Sequence, residues 1–386
     1  MRQTAIVLGI VLLALSAVAP AAGVAGATPG DAPANAATAQ DLECSFPLTV
    51  TDASGHEVTV DDEPGRVVTL NPSAAQTMWE IGARDKVVGV SQFAGFLEGA
   101  ESREVVTSGF PSTVNAEKVI DLEPDLVLAP NTIDNETVTQ LRDADVTVYR
   151  FEMATSIESI YEKTELIGQL AGECDGAEST VTQMRDSVET VEQAVADQDE
   201  PSVYFDMGDR YTAGPNTFIG QIIDRAGGAN IAANANATAP YPQLSAEFIV
   251  EQDPDFVVVN VPPAQLGNES RSYIPEDSVV RNTTAWEEGN VVVVNSNHIS
   301  QPAPRVVEPM TQMAQAFHPD AYEQANTTTT ATEATTEAPT TESTGDGTTT
   351  VAQTTTDPGD TGTTIPGFGI GTAVVALLGA VLFARR

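Results

Sequence analysis

The stretch NAEKVIDLEPDLVLAP, residues 115–130, is echoed 130 positions later by SAEFIVEQDPDFVVVN, residues 245–260. Ala116-Glu117 returns as Ala246-Glu247 and Pro124-Asp125 returns as Pro254-Asp255. Each segment then enters an apolar run, at 126–128 and 256–259. Asn115 and Ser245 suit an N-cap, and a glutamate in the first turn meets the positive end of its helix. Each proline ends the helix before it. The spacing predicts one helix–turn–strand unit used twice, once in each of two related lobes.

The same alternation runs outward from both copies. In the first half, strands are expected at 66–70, 87–91, 126–129 and 146–151, with helices at 73–82, 115–122 and 133–143. In the second half, strands are expected at 202–207, 256–261 and 291–295, with helices at 218–226, 245–251 and 304–317. A hairpin, PLTVTDASGHEVTV, precedes them at 47–60 and turns at Ala53-Ser54-Gly55. This pattern predicts an α/β protein with two Rossmann-like lobes around mainly parallel sheets. Between them Ala177, Val181, Met184, Val188, Val191 and Val195 recur at spacings of four and three, one apolar face of a long helix over 174–198. That helix would span ~37 Å at 1.5 Å per residue. A shorter helix at 157–170 precedes it, and Pro201 ends the connector. One stiff rod between two lobes leaves a cleft that closes only slightly. The lobes are placed at 44–155 and 201–322, with connecting helices at 156–200.

With 386 residues the chain has room for two domains plus appendages. Its 55 acidic residues against 17 basic ones give a net charge of −38, and the lysines are Lys86, Lys118 and Lys163. An apolar fraction of 41% argues against disorder. Such a carboxylate-covered surface suits a salt-loving organism, because at molar salt the Debye length falls to ~3 Å and self-repulsion is screened. It excludes nucleic acid as a partner. No Walker loop, HExxH, GxSxG or CxxC motif occurs, so no catalytic residues are assigned and the protein is read as no enzyme. His56, His298 and His318 stand too far apart in sequence to suggest a metal cluster, and no cofactor is expected.

The ends carry addresses. Residues 1–27 read as a signal peptide, with Arg2 before the apolar segment 5–19 and Ala25-Gly26-Ala27 for cleavage. A disordered segment is expected at 28–43. Cys44 and Cys174 are the only cysteines, so export leaves two states open, a disulfide or two buried thiols. A Thr-rich stretch, 323–364, is expected to form an extended stalk. The segment IPGFGIGTAVVALLGAVLFARR follows, its apolar run shorter than the ~20 residues of a usual spanning helix. Asn135, Asn236, Asn268, Asn282 and Asn326 head N-X-S/T sequons for N-glycosylation.

Several segments together resemble the substrate-binding proteins of ABC importers in the helical-backbone class. These are PGRVVTLNPSAAQTMWEIGARDKVVGVSQF at 64–93, the repeated motif, YPQLSAE at 241–247 and HISQPAPRVVEP at 298–309. The likeness covers about 65–317. It implies a monomeric capture protein for cobalamin or a related corrinoid, with a ferric siderophore or haem as the alternative ligand. It also implies a partner, an ABC permease dimer with its ATPase subunits, on whose arginines Glu117 and Glu247 would dock. YPQLSAE favours cobalamin. The C-terminal Pro366-Gly367-Phe368, apolar run and Arg385-Arg386 resemble an archaeal PGF-type sorting signal, implying a membrane anchor on the outer face of the cell. A structural cell-surface role fits the stalk but requires neither a rigid cleft nor a duplicated glutamate.

Ligand-contact candidates come from residue chemistry on the expected cleft loops. They are Phe93, Phe96 and Phe110 in the first lobe and Tyr211 and Tyr241 in the second, flat faces suited to a conjugated ring. His298 and Arg305 follow on the last cleft loop, one able to meet a corrin or a metal, the other a carboxylate. Trp79 and Trp286 read as structural.

Overall fold

A computed structural model of the protein describes residues 42–336. The expected signal peptide, sorting signal and most of the stalk lie outside the described residues. The chain opens with the antiparallel hairpin β1 (Leu48–Thr51) and β2 (Glu57–Val60), as expected. Strand β3 (Val67–Thr69), helix α1 (Pro72–Glu80), β4 (Val87–Val90) and β5 (Glu104–Val105) follow. A small hairpin of β6 (Thr107–Ser108) and β7 (Thr113–Val114) leads into α2 (Ala116–Asp121). Strand β8 (Leu126–Ala129), α3 (Asn135–Asp143) and β9 (Val148–Arg150) complete the first lobe. Its five-stranded sheet is parallel throughout, in the order β5-β4-β3-β8-β9.

The connector is α4 (Ile157–Ala171) and α5 (Cys174–Val195). At ~1.5 Å per residue, the 22 residues of α5 reach ~33 Å. Its expected apolar face is real: Ala177, Val181, Met184, Val188 and Val191 are buried. The shorter helix runs antiparallel beside it. Arg185 reaches Glu165 at 3.8 Å and stacks on Tyr161, while Gly168 faces Ala177 at the corner. Both helices touch both cores, since Ile157 and Val188 pack with the second lobe, Leu170 and Ala177 with the first. Two rods bind the lobes, and a flexible single-strand hinge is absent from this connection.

The second lobe contains β10 (Ser202–Asp206), α6 (Phe218–Arg225), β11 (Ala229–Asn230), α7 (Ala246–Gln252) and β12 (Phe256–Val261). Helix α8 (Thr284–Glu288), β13 (Val291–Asn295), α9 (Ser296–Ile299) and α10 (Val307–Phe317) follow. Its parallel sheet runs β11-β10-β12-β13, which repeats the β4-β3-β8-β9 order of the first lobe. The final helix, α11 (Pro319–Thr336), corrects the boundary drawn at residue 322. Tyr322 packs on the second-lobe core, and the chain stays helical into the Thr-rich stretch, where an extended stalk was expected.

Cys44 and Cys174 are joined, with Cα atoms 5.7 Å apart, so the disulfide alternative holds. The bond ties the N-terminal segment to the first residue of α5.

The repeated motif folds the same way twice. Asn115 and Ser245 accept the N3 amides of Lys118 and Phe248 at 3.0 and 3.1 Å. Glu123 and Asp253 take left-handed φ of 45° and 42° to turn helix into strand. The aspartates then do something the sequence did not disclose. Asp125 accepts the backbone amides of Gly65 and Arg66 at 2.9 and 2.8 Å. Asp255 accepts the amide and hydroxyl of Ser202 at 2.8 and 2.7 Å. Each carboxylate therefore clamps the start of the neighbouring central strand, β3 or β10.

Candidate functional site

In a parallel sheet flanked by helices, the loops that leave the carboxyl ends of the strands are free to build a site. Here those ends face one another. Ser73 and Gln76, just beyond β3, meet Asn297, Pro302 and Arg305, just beyond β13. Ser73 Oγ donates to Pro302 O at 2.7 Å, and Gln76 Oε1 accepts the Arg305 amide at 3.0 Å. Lys163, from α4, donates to Ser73 Oγ and to Pro302 O at 3.1 Å, and its ammonium stands 5.7 Å from the Phe151 ring. Burial without a carboxylate partner brings its pKa down to about 7. This junction is the floor between the lobes.

The loops that rise beside this floor carry most of the exposed apolar surface. Among the described residues, the large apolar side chains left exposed include Phe93, Phe110 and Met153 after strands of the first lobe. Met207, Tyr211, Tyr241 and Leu266 occupy loops of the second, and Val105 and Val250 are the others. Phe93 follows β4 in a 3-10 turn capped by Ser91, whose Oγ accepts its amide at 3.1 Å. Tyr211 and Tyr241 share one ribbon. Tyr211 pairs with Gln243, and Gly214 and Thr212 donate to Pro240 O and Pro242 O at 2.8 and 3.0 Å. Thr212, Pro242 and Leu244 point inward, so both tyrosines lie on the outward face. Burial raises the Tyr241 hydroxyl above its ordinary range.

Beside the ribbon is a hollow of about 570 Å³, lined by Tyr204, Asp206, Asp209, Arg210, Asn260 and Asp277, among others. It belongs to the second lobe alone, at the carboxyl ends of β10 and β12. Three aspartates face one arginine there, whose Nε is already donated to Leu244 O at 3.2 Å. Burial raises the Asp206 carboxyl, although the Gly208 amide and the Tyr204 hydroxyl oppose that shift. Elsewhere, every lysine and arginine from Arg66 to Arg305 has an ion-pair or hydrogen-bond partner within the chain.

Three expected contacts are placed differently. Phe96 is partly buried and packs into the first-lobe core. His298 has both ring nitrogens engaged. Asn295 Oδ1 accepts the Asn297 amide, which turns Asn295 Nδ2 toward His298 Nε2 at 3.1 Å. Nε2 is thereby an acceptor, and Nδ1 donates to Glu308 Oε2 at 2.8 Å. That bond lowers the Glu308 carboxyl. Arg305 is the cross-lobe brace, with Nε and a terminal nitrogen each 2.7 Å from Glu80 Oε1 of α1. Both His298 and Arg305 thus have side-chain partners within the chain.

Glu117 and Glu247 are exposed in the first turns of α2 and α7, and neither is ion-paired with another described residue. Each helix runs back along its sheet into β8 or β12, which puts each carboxylate at the carboxyl edge of its lobe. The sequon asparagines Asn135, Asn236, Asn268, Asn282 and Asn326 are all exposed. Trp79 and Trp286 are structural, the first bonded to Glu98 O at 2.8 Å, the second flanked by Arg271 and Arg281. Sequence reasoning missed Met153, Met207 and Leu266, whose only signal was an apolar residue just after a strand. It also missed the acidic hollow, assembled from three separate segments.

Residues 67–297 match the family model described as Periplasmic binding protein. A cobalamin-binding protein of Halobacterium salinarum is 54% identical over 379 residues, covering 98% of this chain and 97% of that protein. Among solved structures, the vitamin B12 binding protein BtuF of Vibrio cholerae aligns with TM-score 0.55 at 20% identity, over 68% of this chain and 98% of that one. The heme binding protein HmuT aligns with TM-score 0.58 at 23% identity, over 72% and 91%. At these identities the structural matches speak for the fold.

Proposed function

The chain belongs to the periplasmic binding protein family, and from that premise we propose that it captures cobalamin or a related corrinoid between its lobes for an ABC importer. The observation that carries this reading is the 54% identity to a cobalamin-binding protein along nearly the whole chain. The geometry supports it. Phe93, Tyr211, Tyr241, Met153 and Met207 supply flat and polarisable apolar contacts for a macrocycle. The hollow beside them offers carboxylate and amide acceptors for N–H donors such as the amide groups of a corrinoid. Anionic ligands fit less well. With the described basic groups engaged internally and three aspartates in the hollow, haem carboxylates or a ferric siderophore's negative charge would meet repulsion.

In this reading Glu117 and Glu247 dock on paired arginines of the permease dimer, through charge-assisted bonds that fix orientation. The disulfide favours an oxidising location outside the cytoplasm, consistent with a leader at 1–27 and an anchor at the far end. Glycans at the exposed sequons belong to the same proposal.

The test is a titration of the protein, in molar KCl, with cyanocobalamin, haem and a ferric siderophore, followed by tyrosine and tryptophan quenching. Saturable binding of cyanocobalamin is expected. Saturation by haem or the siderophore alone would overturn the assignment. Glu117→Gln with Glu247→Gln should leave that titration unchanged while weakening stimulation of the transporter's ATPase.

A further inference from the structure

We propose that Phe110 is the apolar tip of the first lobe's docking surface for the permease, and no part of the ligand wall. The inference rests on the docking reading given above. A ring that stacks on a flat ligand offers one face and leans the other on its own protein. Phe93, Tyr211 and Tyr241 have that half-covered character, at 46%, 46% and 40% exposure. Phe110 is 94% exposed, so both of its faces are open and no described residue backs it.

Its support is nevertheless firm. Thr107 pairs with Val114 and Ser108 with Thr113, and the Asn115 amide closes the ribbon on Val106 O at 2.8 Å. Gly109 makes the turn at a φ of 79° that a side chain would strain, and its carbonyl accepts Gln92 Nε2 at 2.6 Å. A flexible loop would fold such a ring back against the protein. This one is held out.

The ribbon ends at Asn115, the N-cap of α2, so Phe110 stands within ~17 Å of the start of that helix even at full extension. Pro111 and Val105 are also exposed along the way. Lys118 is paired with Glu104, and Glu117 is exposed with no ion pair to another described residue. An apolar tip on the same ribbon-and-helix unit as an exposed carboxylate complements a protein surface with a guanidinium and an apolar hollow. An anionic bilayer offers no guanidinium to Glu117, and a second copy of this chain presents a surface on which 55 acidic residues outnumber 17 basic ones.

Phe110→Ala should fold normally, because the side chain contributes no packing. The assays compare it with Phe93→Ala and Glu117→Gln, measuring affinity for cyanocobalamin and for the permease with its ATPase in nanodiscs, with empty nanodiscs alongside. Phe110→Ala is expected to keep its cyanocobalamin affinity and to lose about tenfold or more toward the permease, as a truncated interface anchor does. Phe93→Ala should show the reverse. A comparable loss of cyanocobalamin affinity in Phe110→Ala, an unchanged permease affinity, or Phe110-dependent adhesion to empty nanodiscs would each overturn the proposal. If Glu117→Gln also leaves permease affinity intact, the docking reading itself falls. If Glu117→Gln weakens docking and Phe110→Ala does not, only the role of Phe110 falls.

Discussion

Replacing Arg305 with methionine separates a brace from a ligand contact. Two of its guanidinium nitrogens sit 2.7 Å from one Glu80 oxygen, and the side chains are 31% and 28% exposed. At an effective dielectric of about 20, unit charges ~4 Å apart attract by ~4 kcal/mol before dehydration is counted. Water reaches both groups, so the net contribution of the pair should be ~1–2 kcal/mol. The Arg305 amide keeps its bond to Gln76, so the loop itself should stay in place. In molar KCl, Arg305→Met should lower the unfolding midpoint by about 3–6 °C. A double-mutant cycle with Glu80→Gln should return a coupling of ~1–2 kcal/mol. Cyanocobalamin affinity should stay within about threefold, an effect of less than 1 kcal/mol. Tenfold weaker binding with unchanged stability would refute the brace and return Arg305 to the ligand.

Phe93→Ala and Tyr241→Ala should each weaken cyanocobalamin binding by ~2 kcal/mol, roughly thirtyfold, checked by fluorescence titration. Asp125→Ala and Asp255→Ala should each lower stability by ~1–2 kcal/mol in denaturant titrations, while leaving permease affinity intact, because each removes two hydrogen bonds to a strand start. Asp52 sets an acid limit. Burial alone would raise its carboxyl, but hydrogen bonds from Ser54, Arg142 and His56 outweigh that and hold it at about 2. Its folded pKa lies below its unfolded one, so roughly 2 kcal/mol of stability is present above about pH 4 and drains away as pH falls toward 2. Arg142→Met should move acid unfolding to higher pH.

The lobes were legible because their signals are local and periodic. The run 256–261 is almost continuously apolar and packs as a buried strand, and Val181, Val188 and Val191 can share only one helical face. The antiparallel pairing of α4 with α5 was harder to read, because it depends on Gly168 meeting Ala177 across a two-residue corner. The internal partners of His298 and Arg305 were unreadable for a related reason. Both are polar residues on a cleft loop, and their partners Glu308, Glu80 and Gln76 lie on helices whose facing is decided by tertiary packing. Strand order, which brings β3 and β13 together at the floor, was invisible for the same reason.

The repeat itself carries two different demands on neighbouring residues. Within a few positions, Asp125 and Asp255 are spent on the sheet while Glu117 and Glu247 are exposed with no ion pair to another described residue. A helix–turn–strand unit needs the aspartate wherever it starts a clamp on the adjacent strand, so folding alone accounts for its return. Folding does not account for the glutamates in the same way. A first-turn carboxylate adds a few tenths of a kcal/mol to about 1 kcal/mol to its helix, and molar salt screens much of that. An exposed carboxylate at the same place on both lobes, beside a firmly held aromatic tip on one of them, therefore calls for a reason outside the fold. A two-subunit partner with paired guanidinium groups supplies one.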